Sequence, residues 1–193
     1  MSVRLTAAWQ NAPAARSFAN LWPMYVHELT AFATDFYTLD DDGVWQPDLI
    51  GDWTAPMTPP ANLRAAVADT DARQPLQRAY VIARDGQVAG FACLGLAPFR
   101  FMPDDADVIL CELFLVRRAR GGGVGEAALT QLLARHPGRW VLRAIHDNAR
   151  AIRFWRRVLP RAPVRALDER REAGDIVWRF VAGGGKHGLH GSA

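Results

Sequence analysis

An apolar run from Asp107 to Val116 leads directly into Arg117-Arg118-Ala119-Arg120 and then Gly121-Gly122-Gly123-Val124-Gly125. A stretch with helical spacing comes next, to Arg135. A strand therefore feeds a basic, glycine-rich turn that opens a helix, which commits the chain to layered α/β architecture. The start of a helix presents unpaired N–H groups and the positive end of the helix dipole. Glycines let a ligand approach that backbone closely. The combination seats a phosphate or pyrophosphate.

The rest of the chain fits around this unit. At 193 residues, half of them hydrophobic, it can bury one sizeable core. A single domain over 1–182 is expected, with a glycine-rich flexible tail from 183 to 193. The formal charge is only +3, and the arginines cluster between Arg117 and Arg171. No long basic tract points to a duplex, so an anionic small ligand is expected rather than nucleic acid. No apolar run reaches membrane-spanning length, and the N-terminus lacks the form of a signal peptide. Cys93 and Cys111 lie in apolar runs and read as buried small hydrophobes in a reducing compartment, so the protein is expected to be cytoplasmic. Neither they nor His187 and His190 have metal-site spacing, and no metal is expected.

Val3 to Trp9 reads as a strand. A helix from Pro13 to about Phe32 comes after it, with Phe18, Leu21, Trp22, Tyr25, Val26 and Leu29 at helical spacing; Pro23 should kink or split it. Asp40-Asp41-Asp42-Gly43 is a turn signal, and short helices are expected near Pro47 to Trp53 and Leu63 to Val67. Ala79 to Leu96 reads as a hairpin turning at Asp85-Gly86. Phe99 to Asp105 reads as a loop. Beyond the glycine turn come a helix to Arg135, a strand from Arg139 to Ile145 and a helix from Asn148 to Leu159. A final antiparallel pair, Val164 to Arg171 and Ile176 to Val181, turns at Ala173-Gly174.

Two familiar phosphate-binding designs do not match. A P-loop needs Lys-Ser/Thr after its last glycine, where this chain has Glu126-Ala127. A dinucleotide fold puts its glycines after the first strand and an acidic residue at the end of the next. Here the turn comes late, and the next strand ends Arg143-Ala144-Ile145-His146-Asp147. A glycine-rich loop without a ligand is the plain alternative.

Arg120-Gly121-Gly122-Gly123-Val124-Gly125 resembles the Arg/Gln-x-x-Gly-x-Gly/Ala signature of the GNAT superfamily of N-acetyltransferases. That family's next motif, Asn-x-x-Ala-x-x-Phe-Tyr, is matched by Asn148, Ala151, Phe154 and Trp155 on the following helix. The run from His136 to Arg157 is similar to a bacterial subgroup of acetyltransferases. The motif match covers Asp107 to Leu159, and the order of elements extends it over most of the chain. The region from Thr34 to Gln74 is not diagnostic.

The resemblance implies an α/β (α+β) single domain with a mixed, mostly antiparallel sheet of about six to seven strands. It further implies a central splayed parallel pair and flanking helices. Acetyl-CoA would be the co-substrate. Its pyrophosphate would lie on the amides of Arg120, Gly121, Gly122, Gly123, Val124 and Gly125. Its pantetheine arm would pair with backbone near Leu115 and Val116, and Asn148 would contact that arm. An Asn there is also a natural helix N-cap.

Acetyl transfer needs a neutral amine, a donor for the oxyanion and a proton for the thiolate. The Tyr that many family members use as acid is replaced by Trp155, whose indole cannot serve. Two carboxylates are candidates for the base. Asp107 heads the long strand, where histone-type members carry a Glu; a solvated strand end is the bland alternative. Glu112 is a charge within an apolar strand, where it needs a partner or a task, and Arg143 is the expected partner if the role is structural. Asp40, Asp41 and Asp42, and His146 with Asp147, rank below these two.

The leading expectation is acetyl-CoA-dependent transfer to a primary amine of a small molecule or peptide, in a ternary complex. The alternatives are a non-catalytic acyl-CoA-binding or regulatory protein of the same fold and a nucleotide-phosphate enzyme of another α/β fold. The acceptor is not legible. Trp45 and Trp53 are candidates for a pocket or a subunit interface, which leaves a homodimer open.

Overall fold

The computed structural model describes residues 1–32, 41–43, 76–99, 103 and 105–183. The two short helices expected between Pro47 and Val67, Asp40, Trp45, Trp53 and the tail beyond residue 183 lie outside these residues. Strand β1 (Val3–Ala7) passes through a 3-10 turn into helix α1 (Ala12–Leu29). Strands β2 (Gln77–Arg84), β3 (Gln87–Leu96) and β4 (Val108–Leu115) come next. Helix α2 (Val124–Arg135), β5 (Gly138–Ala144), α3 (Ala149–Val158), β6 (Val164–Glu172) and β7 (Asp175–Ala182) complete the order.

The seven strands form one sheet in the order β1-β2-β3-β4-β5-β7-β6. Every neighbour is antiparallel except β4 with β5. The expected mixed, mostly antiparallel sheet with one parallel pair is therefore present. Both hairpins turn where the sequence asks. Asp85 and Gly86 take φ of 48° and 82°, and Ala173 and Gly174 take 48° and 94°. Two successive left-handed residues match the twist of the strands they join.

Alternation along the strands serves two cores. Ala79, Val81, Phe91, Cys93 and Phe114 face α1 and pack on Phe18, Trp22, Tyr25 and Val26. Tyr80, Ile82, Ala92, Leu94, Val108, Leu110, Trp140 and Leu142 face the other way, against Leu129, Leu132, Leu133, Ile152 and Trp155 of α2 and α3. Helix α1 starts where Asn11 accepts from the N–H of Ala14 at 2.9 Å, with Pro13 in its first turn. Of the expected kink or split at Pro23, the split does not occur: α1 runs on through it. Pro23 is on the exposed side, so the carbonyl it leaves unbonded can turn to water while the apolar face stays packed. Among the described residues no helix is long and apolar enough to cross a membrane.

Strand β4 is irregular on both of its edges. Its pairing with β5 covers only Val108, Ile109 and Leu110, although β4 continues to Leu115. The two strands part at that point. Toward β3, Leu94 pairs with Leu110 but Cys93 pairs with Glu112, so Cys111 is bulged out.

Candidate active site

Beyond the parting of β4 and β5 lies a cavity of about 770 Å³, within the range of small-molecule sites. Its walls come from four places. Tyr25 and the segment from His27 to Phe32, at and just beyond the C-terminal end of α1, form one, and the end of β4 supplies Leu113 to Leu115. The glycine turn and the first turn of α2 form a third wall, and one face of α3 the fourth.

The glycine turn presents open backbone at a helix start, a geometry that suits an anion. Gly121 takes φ +84°, and a side chain there would meet nothing within 4 Å, so the backbone lies open. Gly123, at φ +77°, occupies the N-cap of α2, where any other residue would be strained. No side chain caps this helix start, so its first N–H groups remain for a ligand. Among the described residues the cavity wall carries Arg117, Arg120, Arg150, Arg153 and Arg157 against Glu28 and Glu126. The excess is positive.

Leu115, Arg120, Gly121, Gly123, Val124, Gly125 and Asn148 are brought together around this one cavity. Gly122 turns toward the guanidinium of Arg84, 3.3 Å from where its Cβ would stand. Val116 already uses its N–H on Ala89 and its carbonyl on Ala119, at 2.9 Å each. Asn148 caps α3, its side-chain oxygen accepting from the N–H of Ala151 at 3.0 Å. Phe154 and Trp155 both reach the wall, with rings edge to face at 4.7 Å.

The two candidate bases are far apart. Asp107 precedes β4 at the end away from the cavity. It accepts from the Arg139 side chain at 2.8 and 3.0 Å and from the Arg139 N–H at 2.8 Å. These bonds hold its pKa down at about 2, so it is a weak proton acceptor.

Glu112 sits at the bulge. Strict alternation would place it with Leu110, facing α2 and α3. The extra residue at Cys111 turns it to the α1 face instead, where it accepts a hydrogen bond from the hydroxyl of Tyr25. Arg143 is therefore not its partner, contrary to the sequence expectation; that guanidinium lies 3.9 Å from Glu172. Desolvation pushes the Glu112 carboxyl up to about 7, outweighing the opposite pull of the Tyr25 bond. A carboxylate with that pKa is suited to take and return a proton near neutrality. Tyr25 in turn is pushed well above its ordinary value, by burial first and by Glu112 second.

His146 and Asp147 form an exposed pair at 3.2 Å, and Asp41 and Asp42 are exposed. Cys93 is fully buried, Cys111 partly so, and both are free thiols. Sequence reasoning missed Tyr25 and Glu28, both on α1. Tyr25 was hidden in an apolar stripe; its hydroxyl was the signal, since a buried phenol demands a partner.

The family model described as "Acetyltransferase (GNAT) family" matches residues 44–159, more than half of the chain. Among solved structures, an N-acetyltransferase from Staphylococcus aureus superposes with a TM-score of 0.53 at 15% identity, covering 94% of this chain and 99% of that one. An acetyltransferase from Thermus thermophilus gives 0.52 at 15%, covering 93% and 96%. The PaiA N-acetyltransferase from Thermoplasma acidophilum, solved in complex with coenzyme A, gives 0.51 at 11%, covering 93% and 98%. At these identities the likeness is one of fold. No curated protein matches the sequence. Fold, glycine turn and family model agree, and the chain belongs to the acetyltransferase (GNAT) family.

Proposed function

We propose that the protein is an acetyl-CoA-dependent N-acetyltransferase that acetylates a primary amine of a small molecule or peptide, with Glu112 as the base. One observation carries this reading: the unpaired end of β4 and the basic turn that opens α2 face the same cavity. The residues present fit acetyl-CoA. The amides of Gly121, Gly123, Val124 and Gly125, with Arg120, suit a pyrophosphate. The open β4 edge suits the amide-bearing arm, which can add to it as a strand would. The coenzyme A complex of the Thermoplasma relative supports the same assignment.

In the reaction, Glu112 removes a proton from the acceptor ammonium. The neutral amine attacks the thioester carbonyl carbon, the tetrahedral intermediate expels the CoA thiolate, and the thiolate takes the second nitrogen proton to give the amide and the free thiol. Asp107, held by Arg139 at the other end of the strand, is left with a structural role. The two free thiols favour a cytoplasmic setting.

A second reading, a non-catalytic acyl-CoA-binding protein of this fold, is motivated by Trp155 standing where relatives carry a Tyr acid. Thiol release from acetyl-CoA over a panel of amines separates the two. The enzyme reading requires amine-dependent thiol release that Glu112→Gln lowers by about 100-fold or more. CoA binding without turnover on any amine favours the second reading. Tighter binding of ATP or NAD than of acetyl-CoA removes both.

A further inference from the structure

We infer that Tyr25 is a second catalytic residue of this site, its hydroxyl carrying the acceptor's proton from the cavity to Glu112. The inference rests on the transfer reaction proposed above and assigns the path by which its base is reached. Of the pair, Tyr25 stands on the cavity wall and Glu112 does not; Glu112 is joined to that wall through the hydrogen bond it accepts from Tyr25. An amine on that wall has the phenol as its link to the carboxylate. The hydroxyl already donates to Glu112, and its oxygen retains lone pairs that can accept from an amine at the same time.

The phenol ring is held by its neighbours. Tyr25 packs against Trp22 at 5.5 Å, Phe91 at 5.5 Å and Phe114 at 5.8 Å between ring centroids. These contacts fix the hydroxyl relative to Glu112 without adding a competing polar group. Among the described residues, the other titratable groups facing the pair are the thiols of Cys93 on β3 and Cys111 on β4. Burial pushes both upward, so they stay protonated and take no proton from an amine. Glu28, one turn further along α1, is engaged by Arg120.

The acceptor ammonium gives one proton to the Tyr25 oxygen while the Tyr25 proton passes to the Glu112 carboxylate. The neutral nitrogen then bonds to the acetyl carbon, and the carbon–sulfur bond breaks with its electron pair on sulfur. The second nitrogen proton ends on the thiolate, giving the amide and the free thiol. Glu112 later returns its proton to solvent through the same hydroxyl. This route needs no acid at Trp155.

Tyr25→Phe keeps the ring and removes the relay. It should lower kcat/KM for the amine about 100-fold and leave the Kd for CoA unchanged. The wild-type rate should bend with deuterium content, as two protons move together, while the variant's dependence should be linear. In a Glu112→Gln background the substitution should cost nothing further. Difluorotyrosine at position 25 is the second variant. It preserves packing and the hydroxyl, and should move the pH profile of kcat/KM toward lower pH. Tyr25→Phe within twofold of wild type, with the same curvature, overturns the relay while leaving the acetyltransferase intact. A wild-type protein inert toward every amine removes the transfer reaction and the relay with it. A variant that loses only thermal stability marks Tyr25 as structural and overturns the relay.

Discussion

The guanidinium of Arg120 ties the glycine turn to helix α1, donating to Glu28 at 2.6 Å while its Nε donates to the carbonyl of Leu115 at 2.7 Å. It also lies 5.7 Å from the centre of the Phe114 ring. Arg117 approaches the same Glu28 at 3.6 Å. Glu28 thus neutralises part of the charge that the turn would offer to a pyrophosphate, and Arg120 covers a carbonyl on the strand edge that the arm would use.

Glu28→Gln should tighten CoA binding. A partly exposed pair of this kind is worth about 0.2–1 kcal/mol, which sets the gain at about fivefold or less. Screening should erase it. Calorimetric titration with CoA at low and high salt tests both points. Weaker binding in low salt would mean that Glu28 serves by holding Arg120 in place.

Stability should depend on pH through two groups of opposite slope. Glu112 has a pKa raised from 4.5 to about 7, and the buried His136 one lowered from 6.5 to about 4. As pH rises from 4.5 to 7, the unfolded chain releases a Glu112 proton that the folded chain keeps, so folding weakens. As pH falls from 6.5 to 4, the unfolded chain takes up a His136 proton that the folded chain refuses, so folding weakens again. Each effect is on the order of 3 kcal/mol at most. Between pH 4.5 and 6.5 the two oppose each other. Glu112→Gln should therefore lose stability toward acid, and His136→Gln toward neutral pH, in urea titrations across that window. Parallel curves for all three proteins would count against both shifts.

Gly90→Ala should destabilise the fold by about 3 kcal/mol, near the top of the range for overpacking. A Cβ on Gly90 would stand 1.9 Å from the Phe114 carbonyl oxygen and 2.9 Å from Leu115 Cα. Both are backbone atoms of β4, so the strand itself must move. The same shift should weaken CoA binding. Chemical denaturation and CoA titration of the variant check the two effects together.

The fold was legible where the signal is local. Asp85-Gly86, Ala173-Gly174 and Asn11-Ala12-Pro13 each state a turn or a helix start within a few residues. The starts of α2 and α3 were legible for the same reason, because the glycine turn and Asn148 carry their geometry in their own residues. The direction of Glu112 was not. It depends on the bulge at Cys111, which arises from how β4 meets β3 and breaks the alternation on which a sequence reading relies. Its partner Tyr25 is 87 residues away, on a helix whose apolar spacing reads as core alone. Pro23 leaves α1 in one piece, because its cost falls on the solvent side of the helix.

The parting of β4 from β5 leaves a groove edged by the peptide groups of β4 that β5 does not pair. Substitution cannot delete a peptide group; only proline removes even its N–H. A lineage built on such a groove can exchange nearly every residue around it and still offer the same donors and acceptors to a shared co-substrate. The walls contributed by α1 and its neighbours are then free to change with each new acceptor.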